Sequence, residues 1–135
     1  MAAPIPADDD LAIRNLIALL AQRADGGDVD AYVDLFTPDA SWEMPGAPRR
    51  GHDDIRAGSV ARRAAGETGP GSHTRHMVNT IAVSVTGERA EADSYWLFYV
   101  DTTSEPRVRL MGTYHDTFER TASGWKLARR EIAFG

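Results

Sequence analysis

The chain has 135 residues, 42% of them hydrophobic and 26% charged, with a formal net charge of −5. These values describe one globular domain large enough to bury a core, and an acidic balance without any basic cluster excludes nucleic acid as the main partner. The absence of cysteine excludes disulfides, a thiol nucleophile and a zinc ribbon, and the longest apolar run, Leu16 to Ala21, is too short to span a bilayer. The opening residues lack the basic and apolar segments of a signal peptide, so a cytoplasmic protein is expected, with no membrane partner.

Residues 1–8 are expected to be a flexible tail, with Asp8, Asp9 and Asp10 as N-cap candidates for a first helix over 9–24. Ile13, Leu16, Leu19 and Leu20 give that helix its apolar stripe, and Gly26-Gly27 ends it. Asp25 therefore stands at the helix end, where its first reading is an exposed loop carboxylate. A second helix is predicted over 28–37, capped by Asp28 and buried through Val29, Tyr32, Val33 and Phe36. Thr37-Pro38-Asp39 is expected to break it before a strand at 40–45, which carries Trp42 and Met44. Pro45 to Gly51 reads as a loop, and a third helix is expected over 52–65, weakened by Gly58. Gly66 to Gly71 reads as a connection able to cover the mouth of a pocket.

From Ser72 the pattern changes to strands, predicted at 73–85, 89–101, 107–120 and 124–133. Turn-linked strands after helices give an α+β domain, with helices packed on one face of a curved sheet. Within Ser72-His73-Thr74-Arg75-His76, strand alternation points His73 and His76 to opposite faces, which argues against a shared metal. One inward histidine near a carboxylate is the better reading, although a histidine on a strand is more often a satisfied core residue. In the strand at 107–120, Val108, Leu110, Gly112, Tyr114, Asp116 and Phe118 form the expected buried face. An inward Asp116 requires a partner, Arg129 or Arg130 on the adjoining strand, and a structural ion pair is an equal reading of it. Arg107, Arg109, Met111, Thr113 and His115 fall on the outer face.

Helix 1 ending in Asp25-Gly26-Gly27-Asp28, followed by Tyr32 to Phe36, Trp42, the His76 strand, Gly112-x-Tyr114-x-Asp116 and Gly124-Trp125, resembles the SnoaL-like family of the nuclear-transport-factor-2-like superfamily. The resemblance runs from about Asp9 to Ile132. It implies a cone-shaped half-barrel of three helices on a strongly bent mixed sheet, enclosing one deep apolar pocket. It also implies a homodimer through the outer sheet face. Asp25 and His76 match, by position, the Asp–His pair of the scytalone dehydratase and dehydrochlorinase branch, and Arg130 resembles a pocket-lining position in both. Ala24 and Met44 stand where scytalone dehydratase places its water-holding tyrosines, so that substrate is not expected. Leu20 and Met44 stand where ketosteroid isomerase needs a tyrosine and an acid, which disfavours steroid isomerisation.

The resulting expectation is a cofactor-independent general acid/base enzyme, of the elimination (dehydratase), isomerase or cyclase type, acting on a small hydrophobic molecule of polyketide, terpenoid or aromatic origin. In this reading Asp25 orients and polarises His76, the base. Trp42, Met44, Trp96, Phe98, Tyr114, Asp116 and Arg130 shape the pocket. The alternative is a binding domain that holds a hydrophobic ligand in the same cone without transforming it.

Overall fold

The structure is a computed structural model in which residues 6–135 are described. Three helices come first: α1 (Pro6–Gly26), α2 (Val29–Val33) and α3 (His52–Ala64). They pack on one six-stranded sheet of β1 (Phe36–Glu43), β2 (Arg49–Arg50), β3 (Arg75–Thr86), β4 (Arg89–Val100), β5 (Arg107–Thr121) and β6 (Gly124–Phe134). The sheet order is β2-β1-β6-β5-β4-β3. Neighbours run antiparallel except β1 and β6, which are parallel, so the sheet is mixed as the resemblance implied.

α1 begins three residues earlier than expected, and residues 1–5 of the expected tail lie outside the described residues. The early start puts Asp9 inside the helix rather than at its cap. Its carboxylate instead accepts from Trp125 Nε1 at 3.2 Å and pairs with Arg120 at 2.7 Å, fastening the helix start to the far end of the sheet. Ile13, Leu16, Ile17 and Leu20 form the buried stripe, and Leu19 is only partly covered. At the other end Arg63 of α3 donates to the carbonyls of Arg23 and Gly27 at 3.0 and 2.7 Å, joining the Gly27 N–H on the Arg23 carbonyl and tying the end of α1 to α3.

α2 is shorter than the periodicity predicts, and Phe36, Thr37, Pro38 and Asp39 belong to β1. Pairing with β6 runs from Phe36↔Leu127 directly to Ser41↔Arg129, so Pro38 falls in an unpaired irregular stretch where its missing N–H is harmless. β2, placed inside the segment read as a loop, is a two-residue strand holding Arg49 and Arg50 against Trp42 and Ser41.

β3, β4, β5 and β6 form the long-stranded body of the sheet. Alternate residues of β4 are buried, from Ala90 through Trp96 to Val100. On β5 the expected buried face holds for Gly112, Tyr114, Asp116 and Phe118, but Val108 and Leu110 are exposed. A β-bulge turns Val108 outward: Phe98 pairs with Leu110 and Tyr99 with Val108, leaving Arg109 as an extra residue, whereas Leu110 stays on the inner face beside Phe98 and is exposed at the open cavity. His73 precedes β3 instead of opening it, with φ of 57°, and its side chain is exposed. Phe36, Phe118 and Leu127 are fully enclosed between helices and sheet. Each contributes ~1.5–3 kcal/mol of burial.

Candidate active site

A cavity of about 320 Å³ opens between the helices and the inner face of the sheet. Trp96, Phe98 and Tyr114 line it from β4 and β5, Trp42 and Met44 from β1 and the turn after it. Trp96 and Tyr114 stack with ring centres 5.9 Å apart, and Trp96 Nε1 donates to the Thr113 carbonyl. The indole and phenol thus present fixed apolar faces to any occupant.

His76 forms part of the same wall, packed against Phe98 at 4.8 Å between ring centres. Its Nδ1 lies 2.7 Å from Asp25 Oδ1, and its backbone N–H donates to the same carboxylate at 3.0 and 3.2 Å. One carboxylate therefore fixes both the ring and the start of β3. Asp25 can occupy this position because α1 ends beside β3, held there by Arg63, and only 13% of its side chain is exposed. The loop reading of Asp25 does not apply. Asp25 does not itself line the cavity; it stands behind His76 and faces a surface groove with Arg75 and Gln22. An ionised carboxylate only accepts, so Nδ1 carries the proton and Nε2 is left as the basic nitrogen of the ring.

Arg130 enters from β6, directly opposite Asp116 on β5. Its Nε and Nη2 donate to the two carboxylate oxygens at 2.8 and 2.9 Å, a bidentate pair in which Asp116 is 0% exposed. Burial works against the guanidinium charge, but Asp116 outweighs it and holds the Arg130 pKa above its ordinary value. Asp116 is sealed behind Arg130 and does not touch the cavity, so it acts on the site only through its partner. Arg129, the other partner considered, points the opposite way, to Glu43 and Glu131. The Arg130 guanidinium also lies 3.8 Å from the centre of the Tyr114 ring. Burial, opposed in part by Arg130, pushes the Tyr114 hydroxyl up to about 12, so it remains a neutral donor.

Several lining residues were not among those the sequence assigned to the pocket. Tyr32, Ser59, Arg62, Glu67, Thr68, Arg109, Leu110 and Phe134 all reach the cavity. Thr68 is buried, so the connection after α3 is a packed wall rather than only a cover. Arg109 reaches the cavity because of the bulge and leaves the outer face on which alternation placed it. Arg62 has an antecedent in Gly58, one helical turn earlier. A Cβ there would come within 3.1 Å of Arg62 Nη1, so the glycine leaves room for the guanidinium to fold back over Trp42, 4.7 Å from its ring centre.

Solved structures share this architecture. An NTF2-like protein with a cystatin-like fold from Novosphingobium aromaticivorans is 28% identical, with a TM-score of 0.83 over 95% of this chain and 82% of that one. A candidate aromatic ring hydroxylase from the same organism is 27% identical, with a TM-score of 0.78 over 96% and 91%. A candidate dehydratase of the NTF2-like family from Streptomyces avermitilis is 18% identical and matches in fold, with a TM-score of 0.81 over 97% and 99%. No curated protein matches the sequence. The SnoaL-like domain matches residues 6–131, nearly the whole chain with its helices, sheet and cavity, and the protein belongs to that family.

Proposed function

We propose that the protein is a cofactor-independent acid/base enzyme that removes a proton from a small hydrophobic molecule, with His76 as base and Asp25 as its orienting partner. The observation that carries this reading is the 2.7 Å contact between Asp25 and Nδ1 of a histidine whose ring forms part of an apolar cavity wall. The carboxylate holds the tautomer that exposes a basic Nε2 and stabilises the imidazolium once the proton is taken. The negative charge left on the substrate would be met by Arg130 and the Tyr114 hydroxyl, both pre-positioned by Asp116 and by stacking. Proton removal of this kind begins elimination, isomerisation and ring closure alike. General-base catalysis supplies ~10²–10⁴-fold of rate.

The first test is exchange of the α-protons of 1-tetralone in deuterated water, followed by proton NMR. Wild type is expected to accelerate exchange, His76→Ala to abolish the acceleration, and Asp25→Asn to reduce it by favouring the wrong tautomer. Binding of 1-tetralone without accelerated exchange would instead support the binding-domain reading. We also propose that two copies associate through the outer face of β3, β4 and β5, as the family resemblance implies.

A further inference from the structure

Among the described residues that line the cavity, the charges do not balance. Asp25 is held by His76 and Asp116 by Arg130, both behind the wall. That leaves Arg62 and Arg109 as lining cations without a partner of their own, against a single lining carboxylate, Glu67, which is exposed and makes no ion pair with either. Arg109 sits on the exposed bulge, where water solvates it. Arg62 is different. It lies half-buried over Trp42 in the space Gly58 leaves, and among the described residues its guanidinium forms no ion pair. Burial lowers its pKa, with Tyr32 pulling the other way, Arg49 adding to the fall, and Glu67 and Tyr114 opposing it more weakly. The lining carboxylate, Glu67, is exposed and forms no ion pair with Arg62, so the half-buried guanidinium is only weakly compensated, and an anionic group on a bound molecule would offset the cost of its burial.

We propose that the cavity selects an aromatic acid, a ring system bearing a carboxylate, and that Arg62 is the residue that recognises the carboxylate. The inference rests on the cavity being the substrate site of the proposed function and adds the chemical class of the substrate. The topology separates the two ends of such a molecule. Arg62 lies over Trp42 of β1, and His76 packs on Phe98 of β4. β6, β5 and β4 stand between β1 and β3, the strand that carries His76. Four strand spacings make ~19 Å along the sheet, but Arg62 and His76 line the same cavity on its inner side, where curvature brings the side chains closer together. Trp96 and Tyr114 line the interval and offer flat faces to aromatic rings. A two-ring acid would place its carboxylate at Arg62 and its reacting C–H toward His76. The planar guanidinium favours this ligand in particular, because it pairs with a carboxylate in two parallel hydrogen bonds.

The test compares 2-naphthoate with 2-naphthylmethanol, which share a ring skeleton and differ in charge, by calorimetric titration of the full chain. Wild type is expected to prefer naphthoate by about ten- to a hundredfold, the range of a charge-assisted hydrogen-bonded contact. Arg62→Met is expected to lose that preference with the affinity for the alcohol retained, and Arg62→Lys to keep part of it. His76→Ala is expected to keep the full preference, so a failed exchange assay and a failed charge preference are separate results. Melting curves of the variants establish that each is folded. Equal affinity of wild type for the two probes, binding of neither, persistence of the preference in Arg62→Met, or its loss in His76→Ala would overturn the proposal.

Discussion

Asp25 and Asp116 are both withdrawn behind a cationic or basic partner, yet their partners make them do different work. Asp25 holds a histidine that can lose and regain a proton, whereas Asp116 holds an arginine that cannot. The second pair therefore holds a permanent charge in place at the cavity, and its cost appears when it is broken. Asp116→Ala is expected to lower unfolding stability by ~3–5 kcal/mol, because Arg130 is left charged and buried. The double variant Asp116→Ala/Arg130→Met should recover part of that loss in a denaturant titration. A single variant that melts like wild type would show the carboxylate to be dispensable. Tyr114 gives a pH test of the same cluster. Its hydroxyl keeps its proton up to about 12 in the folded protein. In the unfolded chain a tyrosine loses its proton near ~10. Between those values the native state binds more protons, so stability is unaffected below pH ~10 and falls as pH rises toward 12. The loss attributable to this group is about 2–3 kcal/mol, and Tyr114→Phe should flatten the alkaline limb of the stability profile.

Between residues and the whole molecule, each element depends on close approaches that alternation alone does not reveal. Gly112 is the sharpest example. A Cβ built there would lie 1.9 Å from the Ala133 carbonyl oxygen and 2.6 Å from the Trp96 ring, both fixed parts of the sheet. Gly112→Ala must push β6 or the indole aside, and is expected to cost ~1–3 kcal/mol or more and to displace one wall of the cavity. Near-wild-type denaturant stability with an unchanged near-ultraviolet tryptophan spectrum would contradict this. The same distinction explains what could be read beforehand. The faces of β4 and the inner half of β5 were legible because apolar and polar residues alternate there with period two. So was the Asp116–Arg130 pairing, since an inward carboxylate demands a cation on the next strand. β2 was not legible, because Arg49 and Arg50 show no apolar alternation and are held only by pairing with Ser41 and Trp42. The outward turn of Val108 depends on the Arg109 bulge, a long-range feature of strand pairing. Arg62 was hidden because an arginine in the last turn of a helix ordinarily faces water. Only Gly58, read as a weakness of α3, marked the space it occupies.

At the scale of the whole molecule, the helices cover one face of the sheet and leave the other uncovered. On that outer face Met77, Leu97 and Met111 stand opposite one another across β3, β4 and β5. The next row is Asn79, Tyr95 and Thr113. Met77 is 48% exposed, Tyr95 53% and Met111 52%, high values for large apolar side chains in neighbouring positions. Around them lie charged groups that satisfy one another: His115 bonds to Asp93 at 2.6 Å, and Arg129 bridges Glu43 and Glu131. An apolar centre within a polar rim is the anatomy of a specific protein interface. A second copy meeting it across a twofold axis would cover the same rows on both sheets. Light scattering at micromolar concentration is therefore expected to give twice the mass of one chain. Met111→Glu, which forces a carboxylate into the desolvated centre, should give a folded monomer with an unchanged far-ultraviolet circular dichroism spectrum. A wild-type monomer, or a Met111→Glu protein that remains a dimer, would remove this face as the site of association. Because the cavity opens on the opposite side of the sheet, the variant separates assembly from ligand binding: it should lose its partner and keep its preference for naphthoate.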